Sequence, residues 1–176
     1  MLKRKINAGL SLLTTILLLV HAIVKAIWML SKGSIPISAW VISWALMGAM
    51  ILHIMISIDL VISVYADADV TKGKKYVQIN RSTVVQRVSG LLLVVFTALH
   101  VAGATGYMTP PPIVHAIVPT LFFTVVMVHT AVSTSKAFIT LGIGNAKFVR
   151  IVDVIVKLVC IVTLIADIIG FYLYVV

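Results

Sequence analysis

Apolar residues run through this chain in five long blocks, separated by polar interruptions. The blocks cover about residues 6–30, 37–65, 84–106, 113–132 and 148–176. Each is near or beyond the ~20 residues an α-helix needs to cross a bilayer. They are continuous rather than alternating, which predicts helices, the form in which a backbone in lipid satisfies its own hydrogen bonds. The interruptions are made of turn formers: Ser31-Lys32-Gly33-Ser34-Ile35-Pro36, the polar stretch 66–83, and Tyr107-Met108-Thr109-Pro110-Pro111-Pro112. After Lys136 the pattern predicts a short amphipathic stretch broken at Gly142 and Gly144. No room is left for a soluble domain. The reading is a single all-α integral membrane domain over 1–176, with five transmembrane helices.

Composition agrees with the pattern. The 176 residues are 61% hydrophobic and 11% charged, with mean hydropathy +1.18, against about 45–50% and about 25% in ordinary soluble domains. The opening Lys3-Arg4-Lys5 and apolar run imitate a signal peptide. That run is too long for one, and Trp28-Met29-Leu30-Ser31-Lys32 is no small-residue cleavage site, so a retained span is expected.

A net charge of +9 would suggest nucleic acid in a soluble protein. Here the cations lie between apolar spans and read as topology signals. Lys3, Arg4, Lys5, Lys72, Lys74, Lys75, Arg81, Arg87, Lys136, Lys147 and Arg150 fall on one side, Lys25 and Lys32 on the other, and Lys157 inside the fifth span. This predicts a cytoplasmic amino terminus, an outside carboxyl terminus and a multi-pass location in the cell (inner) membrane, with lipid and no nucleic acid as partner. All five acidic residues are aspartates, which leaves little for paired-carboxylate catalysis. The single cysteine, Cys160, excludes an internal disulfide, a four-thiolate cluster and a structural zinc site, and is read as a small buried hydrophobe.

Ionisable residues inside a membrane are costly and mark function by default. Four of the five histidines are deep, one in each of the first four spans: His21, His53, His100 and His129. Spans one and three run outward and carry His21 and His100 late; spans two and four run inward and carry His53 and His129 past their middles. Two levels result, His21 with His100 outside and His53 with His129 inside, roughly 10 Å apart on a 1.5 Å rise. Two pairs on four helices at two depths is the geometry of two bis-histidine haems stacked across a membrane. A tetrahedral zinc site would need one convergence point instead. Small residues near the histidines (Ala22, Ala26, Gly48, Ala49, Ala98, Ala102, Gly103 and Ala131) offer clearance for a macrocycle, or simply close helix packing.

The stretch Gln86-Arg87-Val88-Ser89-Gly90, followed by an apolar run ending in His100, resembles the third-helix motif of the cytochrome b membrane anchor of succinate dehydrogenases and fumarate reductases. The likeness is greatest to the single-chain, five-helix, two-haem type. It extends to Leu18-Leu19-Val20-His21, to His53, to the basic loop before Arg81, and to His129 followed by Ala137-Phe138-Ile139-Thr140-Leu141-Gly142-Ile143. The resemblance implies two haems b, His21 and His100 ligating the outer and His53 and His129 the inner. It implies a flavoprotein subunit and an iron–sulfur subunit on the cytoplasmic face, electron exchange with a quinone, usually menaquinone, and room for a higher oligomer of the complex. Quinone reduction or quinol oxidation would take place at this subunit. Two features depart from the family: the first connection is short, and no glutamate is present for proton or quinone chemistry.

Secondary residues have two readings each. Arg87 and Lys136, near inner helix ends, are candidate partners for haem propionates or positive-inside anchors. Lys25, one turn outward of His21, is a candidate for an outer propionate or a snorkelling side chain. His115, Asp167 and Asp59 are candidates for quinone binding or proton exchange. Ser89 and Gly90 are read as permitting close packing, and Trp28, Trp40 and Trp44 as an interfacial belt. Three functions stay open on the residues alone: the anchor of a succinate:quinone oxidoreductase, a two-haem cytochrome b serving a different quinone-linked oxidoreductase, and a haem-free membrane scaffold or transporter.

Overall fold

A computed structural model describes residues 2–34, 40–66, 81–107 and 112–175, and their side chains except those of 64–66, 104, 112–116 and 175. Every regular element among the described residues is a helix: α1 (Leu2–Leu30), α2 (Trp40–Ala66), α3 (Arg81–Ala104), α4 (Pro112–Leu141) and α5 (Ala146–Val175). All five are long and apolar enough to cross a membrane. Residues 37–39 of the second predicted span, most of the 66–83 connection with Lys72, Lys74 and Lys75, and Met108 to Pro111 lie outside the described residues.

The helix ends follow from local chemistry. Beyond α1, Gly33 N–H donates to the Trp28 carbonyl (2.9 Å) and Lys32 N–H to the Met29 carbonyl (3.0 Å), a double bond that absorbs orphan carbonyls of the last turn. It requires a left-handed residue, and Lys32 supplies it at φ 51°. The same pattern closes α3 and α4, where glycine takes that position without a Cβ penalty, Gly106 at φ 74° and Gly142 at φ 72°. Pro112 opens α4, at the one helical position where a missing N–H costs nothing. Asn145 caps α5, its side chain accepting from the Phe148 N–H at 2.9 Å.

Three boundaries differ from the sequence expectation. α1 begins at Leu2 rather than near 6, α3 begins at Arg81 rather than near 84, and α4 continues past 132 to Leu141. The stretch around Lys136 is therefore the last turns of α4, not a separate element. Its polarity misleads because it points inward: Thr130, Ser133, Thr134 and Ala137 are all buried. Thr134 and Thr140 return their hydroxyls to the carbonyls of Thr130 and Lys136, so these two are satisfied within the helix.

The outside of the bundle is apolar and its core is mixed. Large apolar side chains such as Leu91, Met55, Val162 and Ile139 are exposed, while Ser89, Thr163 and Asp167 are buried, as are Val126, Met127 and Cys160. Cys160 is 2% exposed, as a small core hydrophobe should be. Ala22 and Ala131 pack against this cluster, and Ala26 lies where Gly170 of α5 approaches α1. These alanines thus serve helix packing rather than clearance beside the histidines.

Among the described residues, α1 packs on α2, α4 and α5, and α4 packs on α1, α3 and α5, whereas α2 touches only α1 and α3 only α4. The first four helices form an open quartet in the order α2-α1-α4-α3, with no contact closing α3 onto α2. α5 buttresses the central α1–α4 pair from the opposite side. Near the start of α1, Lys3 pairs with Asp59 at 3.0 Å, both exposed, and Ser57 donates to Asn7 at 3.2 Å. At the other end Trp28 meets Tyr174 with ring centroids 4.6 Å apart. Replacing Asn145 with alanine is expected to lower stability by about 1 kcal/mol through loss of the α5 cap, whereas serine or aspartate should retain it. Denaturant midpoints of the detergent-solubilised protein measure this.

Candidate functional site

The four deep histidines project from the quartet, and the structure brings them together in pairs. His21 and His100 are close enough for their charges to interact, as are His53 and His129. Each pair joins a diagonal of the quartet, α1 with α3 and α2 with α4. Among the described residues neither diagonal pair of helices is in contact.

The two levels can be measured along the helices. Ser43 of α2 touches His21, and His53 lies ten residues further along the same helix, about 15 Å. Ser89 of α3 touches His129, and His100 lies eleven residues further, about 16 Å. Both helices give the same separation, somewhat larger than the depth reckoning from sequence.

Each pair has one imidazole tethered by a serine from the neighbouring helix. Ser43 Oγ is 3.2 Å from His21 Nδ1, and Ser89 Oγ is 3.0 Å from His129 Nδ1. The other members are held differently. His100 is exposed and stacks on Phe122 of α4, with centroids 5.0 Å apart and planes 27° apart. His53 has the Asn7 backbone of α1 in range of its ring, and its Nδ1 is buried with no hydrogen-bond partner among the described residues. An unsatisfied buried nitrogen costs about 1–3 kcal/mol. Ser133 Oγ, one turn beyond His129 on α4, is likewise buried and unpartnered.

Gly90 sets the approach of α3 to α4. A Cβ there would lie 3.2 Å from His129 Cε1 and 3.6 Å from Nδ1, tight enough to push the ring aside. Gly48 and Gly103, by contrast, have nothing within 4 Å of the position a Cβ would take. Ser89 and Gly90 thus correct the sequence reading. They contact a histidine directly, and it is His129 of the neighbouring helix rather than His100 of their own.

Cations accompany both pairs. Lys25 lies within electrostatic range of His21 and of His100, with Nζ 5.1 Å from the centre of the Trp28 ring. Lys136 lies within range of His129 and donates to Gln86 Oε1 at 2.9 Å. Arg87 follows on α3, half-buried and engaged in its own interaction. Trp40 and Trp44 meet edge to face at 5.5 Å and are exposed, as a belt would be.

The remaining candidates stand apart from the pairs. Asp59 is committed to Lys3 at the surface of the bundle. Asp167 is 2% exposed on the core face of α5, on the opposite side of α1 and α4 from the quartet opening. His115 lies on the first turn of α4, and its side chain is outside the described residues. Among the described residues no three of His, Cys, Asp or Glu converge on one point, so the arrangement offers pairs of ligands and not a three-ligand metal centre.

Comparison with protein-family models, with curated proteins and with solved structures finds no match to this chain. The site is therefore read from its own geometry. Carrying Cys160→Ala throughout, a thiol crosslinker is expected to join cysteines placed at 21 and 100, and at 53 and 129, but not at 21 and 53. Band shifts on a denaturing gel read the outcome.

Proposed function

We propose that this chain is a two-haem membrane cytochrome b, the anchor of a succinate:quinone oxidoreductase. The observation that carries the proposal is the pairing of four histidines on two diagonals at two levels about 15 Å apart. Bonds to serines of neighbouring helices hold His21 and His129, and polar glue alone would account for those bonds but not for the pairing of all four histidines by level.

The residues fit the group proposed. His21 and His100 would hold one haem, and His53 and His129 the other. Ser43 and Ser89 engage Nδ1 of one ligand in each pair, the outer-shell contact that orients metal-bound imidazoles. His53 Nδ1 is buried with no hydrogen-bond partner among the described residues, a polar group that a bound molecule could satisfy. Lys25 and Lys136 each place a cation beside one pair, where propionates would find charge-assisted partners. Haem iron bound there would supply one-electron transfer along the line between the two levels. The protein's part is to hold both planes at fixed separation and to exclude water with the apolar bundle.

The cation distribution supports a cytoplasmic amino terminus, which makes His53 and His129 the inner pair. A flavoprotein and an iron–sulfur subunit would then dock on the cytoplasmic face. The chain itself has one cysteine, buried in the core, and cannot hold an iron–sulfur cluster. Quinone, with menaquinone first by the resemblance, would exchange electrons at this subunit. His115 and Asp167 remain its candidate proton groups.

Protein expressed with haem supply is expected to show b-type difference spectra and two haems per chain. His100→Ala or His21→Ala should remove one, and His53→Ala or His129→Ala the other, read as haem-to-protein ratio. Absence of b-type absorbance in the unmutated protein would sink the proposal. In the native membrane a succinate- or fumarate-linked flavoprotein should copurify. A different dehydrogenase in its place would transfer the haem assignment to another quinone-linked complex.

A further inference from the structure

We infer that the α3 turn from Gln86 to Gly90 fixes the tautomer of His129, with Ser89 as a positioning residue that keeps the proton on Nδ1. The inference rests on the hydrogen count at Ser89. Its hydroxyl has one proton and three polar neighbours: the Val85 carbonyl at 2.6 Å, the Gln86 carbonyl at 3.2 Å and His129 Nδ1 at 3.0 Å. Carbonyl oxygens only accept, and an O···O separation of 2.6 Å requires a hydrogen between the atoms. The Ser89 proton therefore goes to Val85.

What remains on Ser89 Oγ facing His129 is a lone pair. It is satisfied only if His129 donates, that is, if Nδ1 carries the hydrogen. Gly90 lets the ring sit this close, since a Cβ would press on Cε1 at 3.2 Å. Lys136, two turns along α4, donates to the Gln86 side chain at 2.9 Å and holds the same turn of α3 in register.

The consequence is chemical. With the proton held on Nδ1, Nε2 of His129 keeps its lone pair, the form in which an imidazole can ligate a metal. The haem-related part of this inference rests on the proposed function above, while the tautomer itself does not. The short motif on α3 thus acts on a histidine of the next helix rather than on its own His100.

Two measurements test this on the full-length chain. In haem-free protein with ¹⁵N-labelled histidine, the resonances of His129, identified by their absence in His129→Gln, should show protonated Nδ1 and unprotonated Nε2. Ser89→Ala should convert them to a tautomer mixture and Ser89→Thr, which keeps the hydroxyl, should restore them. The reverse tautomer in the unmutated protein, or no change on Ser89→Ala, overturns the inference. In haem-loaded protein, Ser89→Ala should weaken retention of the inner haem by about 10–100-fold and shift its midpoint potential, leaving the outer haem as it was. Equal loss of both haems would mean a general structural role and overturns the positioning assignment. A protein that binds no haem but shows the expected tautomer would instead refute the proposed function and leave this inference standing.

Discussion

An imidazole has two nitrogens to satisfy, and inside a bilayer no water reaches them. That constraint shapes the quartet. For His21 and His129 one nitrogen is met by a serine on the adjacent helix, which ties α1 to α2 and α4 to α3. The diagonal counterpart of each lies within electrostatic range, on a helix other than the one that holds it by Nδ1. His53 Nδ1 finds no partner among the described residues.

The open quartet needs support from elsewhere, since α2 and α3 each lean on a single neighbour. The central α1–α4 contact and the buttress of α5 provide it. The interface they form is made of small and hydroxyl-bearing residues that let backbones approach, with Gly170 lying against Met29 and the Ala26 carbonyl. α5 carries no histidine, yet it completes the core around Cys160, Thr163 and Asp167. The aromatic chain from His100 through Phe122 and Phe123 to Phe171 runs from the quartet into that core. Phe96 of α3 joins the same line at Phe122.

Reading the motif on α3 shows where local and tertiary information part. Gln86 to Gly90 and His100 sit on one helix, and sequence proximity makes them look like one device. In three dimensions the near end addresses His129 and Lys136 of α4, while His100 stacks on Phe122 of α4 and lies within electrostatic range of His21 on α1. The histidine levels were legible because depth along a helix accumulates at a fixed rise, and chain direction alternates from span to span. The roles of the alanines near the histidines were not, because small residues look alike whether they face a cofactor space or a packed helix. Ala22 and Ala131 turn out to do the latter.

The sequence by itself determined that five helices of membrane-spanning length would form, where most of them stop, and which histidines share a level. These follow from hydrophobic run length, from Gly, Pro and Asn at the termini, and from a 1.5 Å rise, all of which are local. It could not determine how far α4 continues, because a polar run ends a helix in solvent but can be buried against neighbours in a bundle. Only the tertiary structure decided which helices touch, that the histidine pairs lie on the diagonals, and that Ser43, Ser89 and Gly90 belong to the histidines of adjacent helices. Those are matters of azimuth, the direction each residue faces around its helix, and azimuth is set by packing partners distant in the chain.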